Sequence, residues 1–139
     1  MTRAGNLCHS SAGAVLALAT SGDGGHPAQH IIDGNPDTFW TTTGMFPQEF
    51  IISLNTLQKI GKITLESSQI RSLRIETSTS KEPTNFEHCV EREFEHVEGQ
   101  FHNEEITFPG VQAIHLRFVI LSGFDHFVAV RSVSAESVI

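Results

Sequence analysis

Apolar and polar residues alternate with a period of two over much of the chain. Phe50, Ile52 and Leu54 share one side of Gln48–Leu54, and Leu73 and Ile75 share one side of Ile70–Thr77. In Gln112–Ser122, Ile114, Leu116, Phe118 and Ile120 stand opposite His115 and Arg117. That period belongs to strands with one face buried. Phe86–His96 alternates too, with Phe86, Val90 and Phe94 on one side and Glu87, Glu91, Glu93 and Glu95 on the other. Further strands are predicted at Ala14–Thr20, Thr38–Thr43, Ile60–Glu66, Ile106–Phe108 and Val128–Ala135, with Pro109-Gly110 as a turn ending the fourth of these. Ser21–Gly25 and Ser78–Pro83 read as loops, and Pro27 suits the first position of a single helical turn. No long amphipathic helix is visible. Roughly eight or nine short strands with turns between them predict an all-β sandwich or barrel.

Length and charge narrow the class. A chain of 139 residues is expected to form one domain, residues 1–139, with a core large enough to need no staples. The net charge of −7 points away from nucleic acid and anionic membrane, which select basic faces. No stretch approaches the ~20 apolar residues of a membrane span, so no membrane insertion is expected. Ala12–Thr20, following Arg3, has the outline of a short leader, but Gly13 breaks it and a strand fits it better. Cys8 and Cys89 are too few for a disulfide framework and are expected to be free thiols in a reducing compartment such as the cytoplasm.

Candidate chemistry concentrates in Ile31–Trp40. Asp33-Gly34-Asn35-Pro36 must turn, because Gly34 permits positive φ and Pro36 pushes Asn35 out of the helical region. The turn aims the Asp33 carboxylate, the Thr38 hydroxyl and backbone carbonyls at one place, and hard cations such as Ca²⁺ take six to eight oxygens. An ordinary Asx turn with Thr38 as a local cap accounts for the same residues equally well. Phe39 and Trp40 follow as the apolar anchor of the loop.

The remaining motifs are weaker. His26 and His30 are four apart, but Pro27, Ala28 and Gln29 between them supply no Glu, which argues against a zinc helix. His88, His96 and His102 have no ligand spacing. There is neither a Gly-x-Ser-x-Gly elbow nor a Gly-rich phosphate loop, and the acidic run from Glu82 to Glu105 fits a solvated strand face. No enzyme is expected. A calcium-dependent lectin-like module is the rival reading, with His126 and Arg131 as its candidates. The chain has no Tyr, however, and a single Trp with which to stack on a sugar. The turn-like segments carrying Met45, Phe46, Phe124 and Phe127 present apolar side chains suited to protein contact.

The run Ala28–Trp40, with its Asp-Gly-Asn-x-x-Thr-x-Trp core, resembles the calcium loop of galactose-binding-like jelly rolls, the discoidin and coagulation-factor C-type superfamily. The resemblance implies a galactose-binding-domain-like jelly-roll β-sandwich. It also implies a structural Ca²⁺ held by the His30 carbonyl, the Asp33 carboxylate, the Asn35 carbonyl, Thr38 and Glu136. Thr38–Phe50, reading TFWTTTGMFPQEF, together with Ser78–Pro83 and Phe124–Phe127, is similar to a narrower family. That family is the small jelly-roll subunits of the intraflagellar transport B complex, also carried under a small-heat-shock-protein name. The likeness runs from about Leu7 to Glu136. It implies a non-enzymatic subunit that forms a heterodimer with a Rab-like small GTPase subunit, contacts other complex B subunits, and works in the cilium or flagellum and the cytoplasm.

Overall fold

The computed structural model describes residues 7–9, 12–20, 28–33, 37–42, 45–95, 101–125 and 127–138. Among these residues seven strands run as β1 (Val15–Ala19), β2 (Trp40–Thr41), β3 (Gln48–Ser68), β4 (Ile70–Ser78), β5 (Glu87–Glu93), β6 (His102–Gly123) and β7 (Ala129–Ser137), with a 3-10 helix at Ala28–Ile32. All pairings are antiparallel.

Two long strands organise the sandwich. The first part of β3, Gln48–Ser53, lies between β1 and the end of β6, which continues to β4 and β5. The later part, from Ile60 onward, lies between β7 and the start of β6, and β2 flanks β7. Each long strand therefore serves both layers, β1-β3-β6-β4-β5 and β2-β7-β3-β6, and turns the corner where the β3–β6 register shifts between Ser53 and Gln58. The layers meet over Phe50, which stacks on Phe118 at 4.8 Å and takes the edge of Trp40 at 5.4 Å. Trp40 belongs to the β2 layer and Phe50 to the other, so this contact crosses the interior. Leu65, Leu73, Ile75, Leu116, Ile120 and Val133 fill the rest of the core. This is the all-β sandwich that the alternation predicts.

Three local expectations change. The predicted strands Gln48–Leu54 and Ile60–Glu66 are one strand, as are Ile106–Phe108 and Gln112–Ser122. Pro109-Gly110 is a bulge inside β6 rather than a turn. The β3–β6 register shifts there, between Ile60 and Lys62, and Gly110 takes a φ of +112° that a side chain would strain. Of Thr38–Thr43, the described residues 38–42 yield only the two-residue β2. Phe86 leaves the face it was expected to share with Val90 and Phe94. The β4–β5 register shifts so that Ile75 faces Val90 but Glu76 faces His88. The extra residue, Cys89, flips every position before it to the opposite face. Neither Cys8 nor Cys89 is in a disulfide. Among the described residues no helix is long and apolar enough to cross a membrane.

Candidate functional site

Ala28, Ile31 and Ile32 are the buried side of the 3-10 helix, which packs on β1, β2 and β7. That packing delivers Asp33 at the helix end. The Thr38 hydroxyl donates to the Asp33 carboxylate, 2.8 Å from Oδ2 and 3.0 Å from Oδ1. His30 Nδ1 donates to the Phe39 carbonyl at 3.2 Å, tying the helix to the far side of the loop. Trp40, fully buried, pairs with Val130, and the Thr42 N–H donates to the Val128 carbonyl at 3.0 Å. Phe39 leans on Phe101 at 5.5 Å, and Phe101 carries the Arg131 guanidinium 4.2 Å above its ring. The loop is thus anchored on both sides, by Trp40 within the core and by Phe39 outside it.

Of the five predicted cation ligands, Asp33 and Thr38 are brought into direct contact, and His30 lies one helical turn before them. Asn35 lies outside the described residues, as do His26, His96 and His126. Glu136 stands near the end of β7, where Lys62 Nζ pairs with its carboxylate at 3.4 Å and with Glu105 at 4.0 Å. Among the described residues no three His, Cys, Asp or Glu side chains gather closely enough to hold a metal ion. An ion at this loop would therefore rest largely on hydroxyl and carbonyl oxygens around one carboxylate. That all-oxygen donor set fits a hard cation, which would engage the Asp33 carboxylate and the Thr38 hydroxyl oxygen in place of the hydrogen bond between them.

The apolar loop segments meet at one end of the sandwich. Met45 is 86 % exposed, and Phe124 and Phe127 are also exposed. Phe46 folds back onto the core, with its ring tip against Gly123: a Cβ on Gly123 would lie 2.7 Å from it. Gln48 Nε2 donates to the Met45 carbonyl, and the Phe124 N–H donates to the Gln69 carbonyl at 2.8 Å. The two segments are therefore neighbours, and Phe46 holds its loop in place while Met45, Phe124 and Phe127 remain available.

Two polar groupings were not read from the sequence. Arg117 donates from Nη2 and Nε to both oxygens of Glu49, at 2.8 and 3.0 Å, and from Nη1 to Glu76 at 3.2 Å, with Phe86 over its guanidinium at 5.5 Å. The hydrogen bonds to Glu49 raise the Arg117 pKa. Partial burial works against them, and the charges of Glu49 and Glu76 add to them. Beside it, Ser53 and His115 form a second hydrogen-bonded pair across β3 and β6. The signal for both was the pair His115 and Arg117 on the polar side of an otherwise apolar strand. Their partners lie 62 and 68 residues away in sequence. Burial pushes the Cys8 thiol up to about 12 and raises that of Cys89, so neither is activated as a nucleophile.

Comparison with known proteins gives the same fold and a narrower kinship. Residues 15–132 match the F5/8 type C domain family. The chain is 53% identical over 134 residues to the human intraflagellar transport protein 25 homolog, covering 96% of this chain and 93% of that protein. It is 34% identical over 122 residues to intraflagellar transport protein 25 of Chlamydomonas reinhardtii, covering 88% of this chain and 64% of that one. Among solved structures, the family 32 carbohydrate-binding module of Clostridium perfringens NanJ, in complex with galactose, superposes with a TM-score of 0.80 at 20% identity. It covers 94% of this chain and 97% of that one, and a likeness at such identity speaks to the fold alone.

Proposed function

Because the chain belongs to the F5/8 type C domain family and, within it, to the intraflagellar transport protein 25 family, we propose that it is a non-catalytic subunit of the intraflagellar transport B complex. It pairs there with a Rab-like small GTPase subunit and contacts other complex B subunits. It serves cargo transport in the cilium or flagellum and is also present in the cytoplasm. The observation that carries this reading is the 53% identity extending over 96% of the chain, which leaves no part of the domain outside the kinship except a few residues. The exposed Met45, Phe124 and Phe127 offer an apolar contact surface of the kind a stable heterodimer buries. A structural Ca²⁺ at Asp33 and Thr38, completed by the His30 and Asn35 carbonyls and by Glu136, would pin the first loop to the sandwich. Glu136 would exchange Lys62 for the ion. Fully buried Trp40 has no face open to a pyranose, which weighs against the lectin-like alternative.

Affinity purification of the full chain from ciliated cells tests the reading. The expected result is a stoichiometric partner of small-GTPase size that stays bound through gel filtration. Its absence, or retention of glycans in its place, overturns the proposal.

A further inference from the structure

Among the described residues the sandwich has four strand edges, and three are guarded. β2 is only two residues long. β5 reads Glu-His-Cys-Val-Glu-Arg-Glu, and its four charges discourage any added strand. The free side of β6 in its first part carries Glu104, Glu105 and the bulge at Pro109-Gly110. Short length, charge, proline and bulges are the devices that keep sheet edges from recruiting other chains.

The fourth edge, β1, carries neither charge nor proline, and its one irregularity is a bulge at Ala17. It reads Val15-Leu16-Ala17-Leu18-Ala19, and among the described residues it pairs with β3 alone. Leu16 turns into the core, while Val15 and Leu18 stand 56% and 43% exposed and Ala17 is exposed between them. Leu57, also exposed, lies at the bend of β3 four residues beyond Ser53, the partner of Val15. Ala17 sits at the register shift between Leu16 and Leu18, so it has no partner on β3.

We propose that β1 is a docking edge for an extended segment of another subunit, added as a further strand beyond it. This deepens the function proposed above and rests on it. The main-chain N–H and C=O groups on the free side of β1 select an extended backbone over a helix, and Val15 and Leu18 select apolar side chains at alternate positions. The net charge of −7, with no charge on β1 itself, favours basic residues flanking that segment rather than within it. A second copy of this chain is the poorer occupant. It brings the same net charge and so repels where a basic-flanked segment is attracted.

Hydrogen exchange on the full chain, free and in the complex it retains from ciliated cells, tests this. Amides of residues 15–19 are expected to slow at least tenfold in the complex. Leu18→Lys, which charges the edge, and Ala17→Pro, which places a proline at its bulge, are expected to lower recovery of one subunit at least tenfold. Leu18→Lys should leave the free chain's melting temperature unchanged, so that loss of fold does not explain its effect. A small-GTPase-sized subunit that is retained while β1 exchange stays unchanged overturns this proposal and leaves the functional reading intact. Retention of every subunit by both variants overturns it as well. β1 protection in the free chain together with a dimer in sedimentation makes the occupant a second copy and also overturns it. Recovery of no partner at all overturns both readings.

Discussion

The hydroxyl of Ser53 lies 2.7 Å from Nδ1 of His115, while the other ring nitrogen, Nε2, faces the carbonyl oxygens of Ser80 at 3.0 Å and Lys81 at 3.2 Å. Carbonyls only accept, so the proton sits on Nε2 and Nδ1 accepts from Ser53. His115 is 5% exposed, and its ring fastens the loop after β4 to the middle of the sheet. His115→Ala is expected to cost about 2–3 kcal/mol from the lost hydrogen bonds and the cavity. Ser53→Ala, which leaves Nδ1 unsatisfied, should cost about 1 kcal/mol. Urea denaturation of both single variants and the double variant measures the coupling. If the two costs simply add, the ring and the hydroxyl do not act together.

Arg117 grips Glu49 with two nitrogens and Glu76 with a third, a planar fork that lysine lacks. Its side chain is about a third exposed, so solvent takes much of the Coulomb gain. Arg117→Lys is expected to destabilise the fold by about 1 kcal/mol at low ionic strength and by visibly less in 1 M salt. The comparison is made by denaturation at two salt concentrations. A loss that salt does not change would assign the effect to packing against Phe86 instead.

Much of the sandwich was legible because burial imposes a period of two. Phe50, Ile52, Leu73, Ile75, Leu116, Phe118 and Ile120 are all in the core. What stayed hidden were the places where a strand continues through an irregularity. Pro109-Gly110 has turn chemistry, but here it bends a strand, and a one-residue bulge at Cys89 is enough to move Phe86 from the core side to Arg117. The contact between Asp33 and Thr38 was readable, since they stand five positions apart across a sequence that must turn. The engagement of Glu136 by Lys62 was not, because it depends on β3 and β7 lying side by side in a register that local pattern does not encode.

Cys8 gives the fold a pH dependence of known sign. Its thiol is pushed from 9.0 up to about 12 by burial in the folded chain and returns to its ordinary value on unfolding. Below pH 9 both states keep the proton and nothing changes. Between pH 9 and 12 only the folded state keeps it, so stability falls as pH rises, by about 1.4 kcal/mol per unit. Urea titrations at pH 8, 9 and 10 under reducing conditions should show this slope in the wild type and a shallower one in Cys8→Ala. Equal slopes would remove Cys8 as the cause.

The proposed ion at Asp33 predicts a calorimetric signature. A ligand bound only by the folded chain raises stability by about 2.7 kcal/mol at a hundred times its dissociation constant. The wild type is therefore expected to melt several degrees lower after chelation, and to recover with Ca²⁺. Asp33→Ala should melt at the chelated temperature and respond to neither, and Thr38→Val should respond weakly. If wild type and Asp33→Ala melt alike with and without Ca²⁺, the contact between Asp33 and Thr38 is an Asx-type cap and nothing more.

Met45 separates docking from folding more cleanly than its neighbours do. Phe46 seats its ring against Gly123, so changing it disturbs the end of the sandwich as well as any interface. Met45 is 86% exposed and contributes its carbonyl rather than its side chain to Gln48. Met45→Glu is therefore expected to change folding stability by no more than about 0.5 kcal/mol, as surface substitutions do. Burying that carboxylate in an apolar contact is costly, and a central interface position is worth about 2 kcal/mol or more. The dissociation constant for the proposed small-GTPase-sized partner should rise at least tenfold, read by titration calorimetry on the purified pair. Phe124→Ser should act in the same direction, since Phe124 is exposed on the adjoining segment. Unchanged affinity in both variants would move the docking surface away from this end of the sandwich.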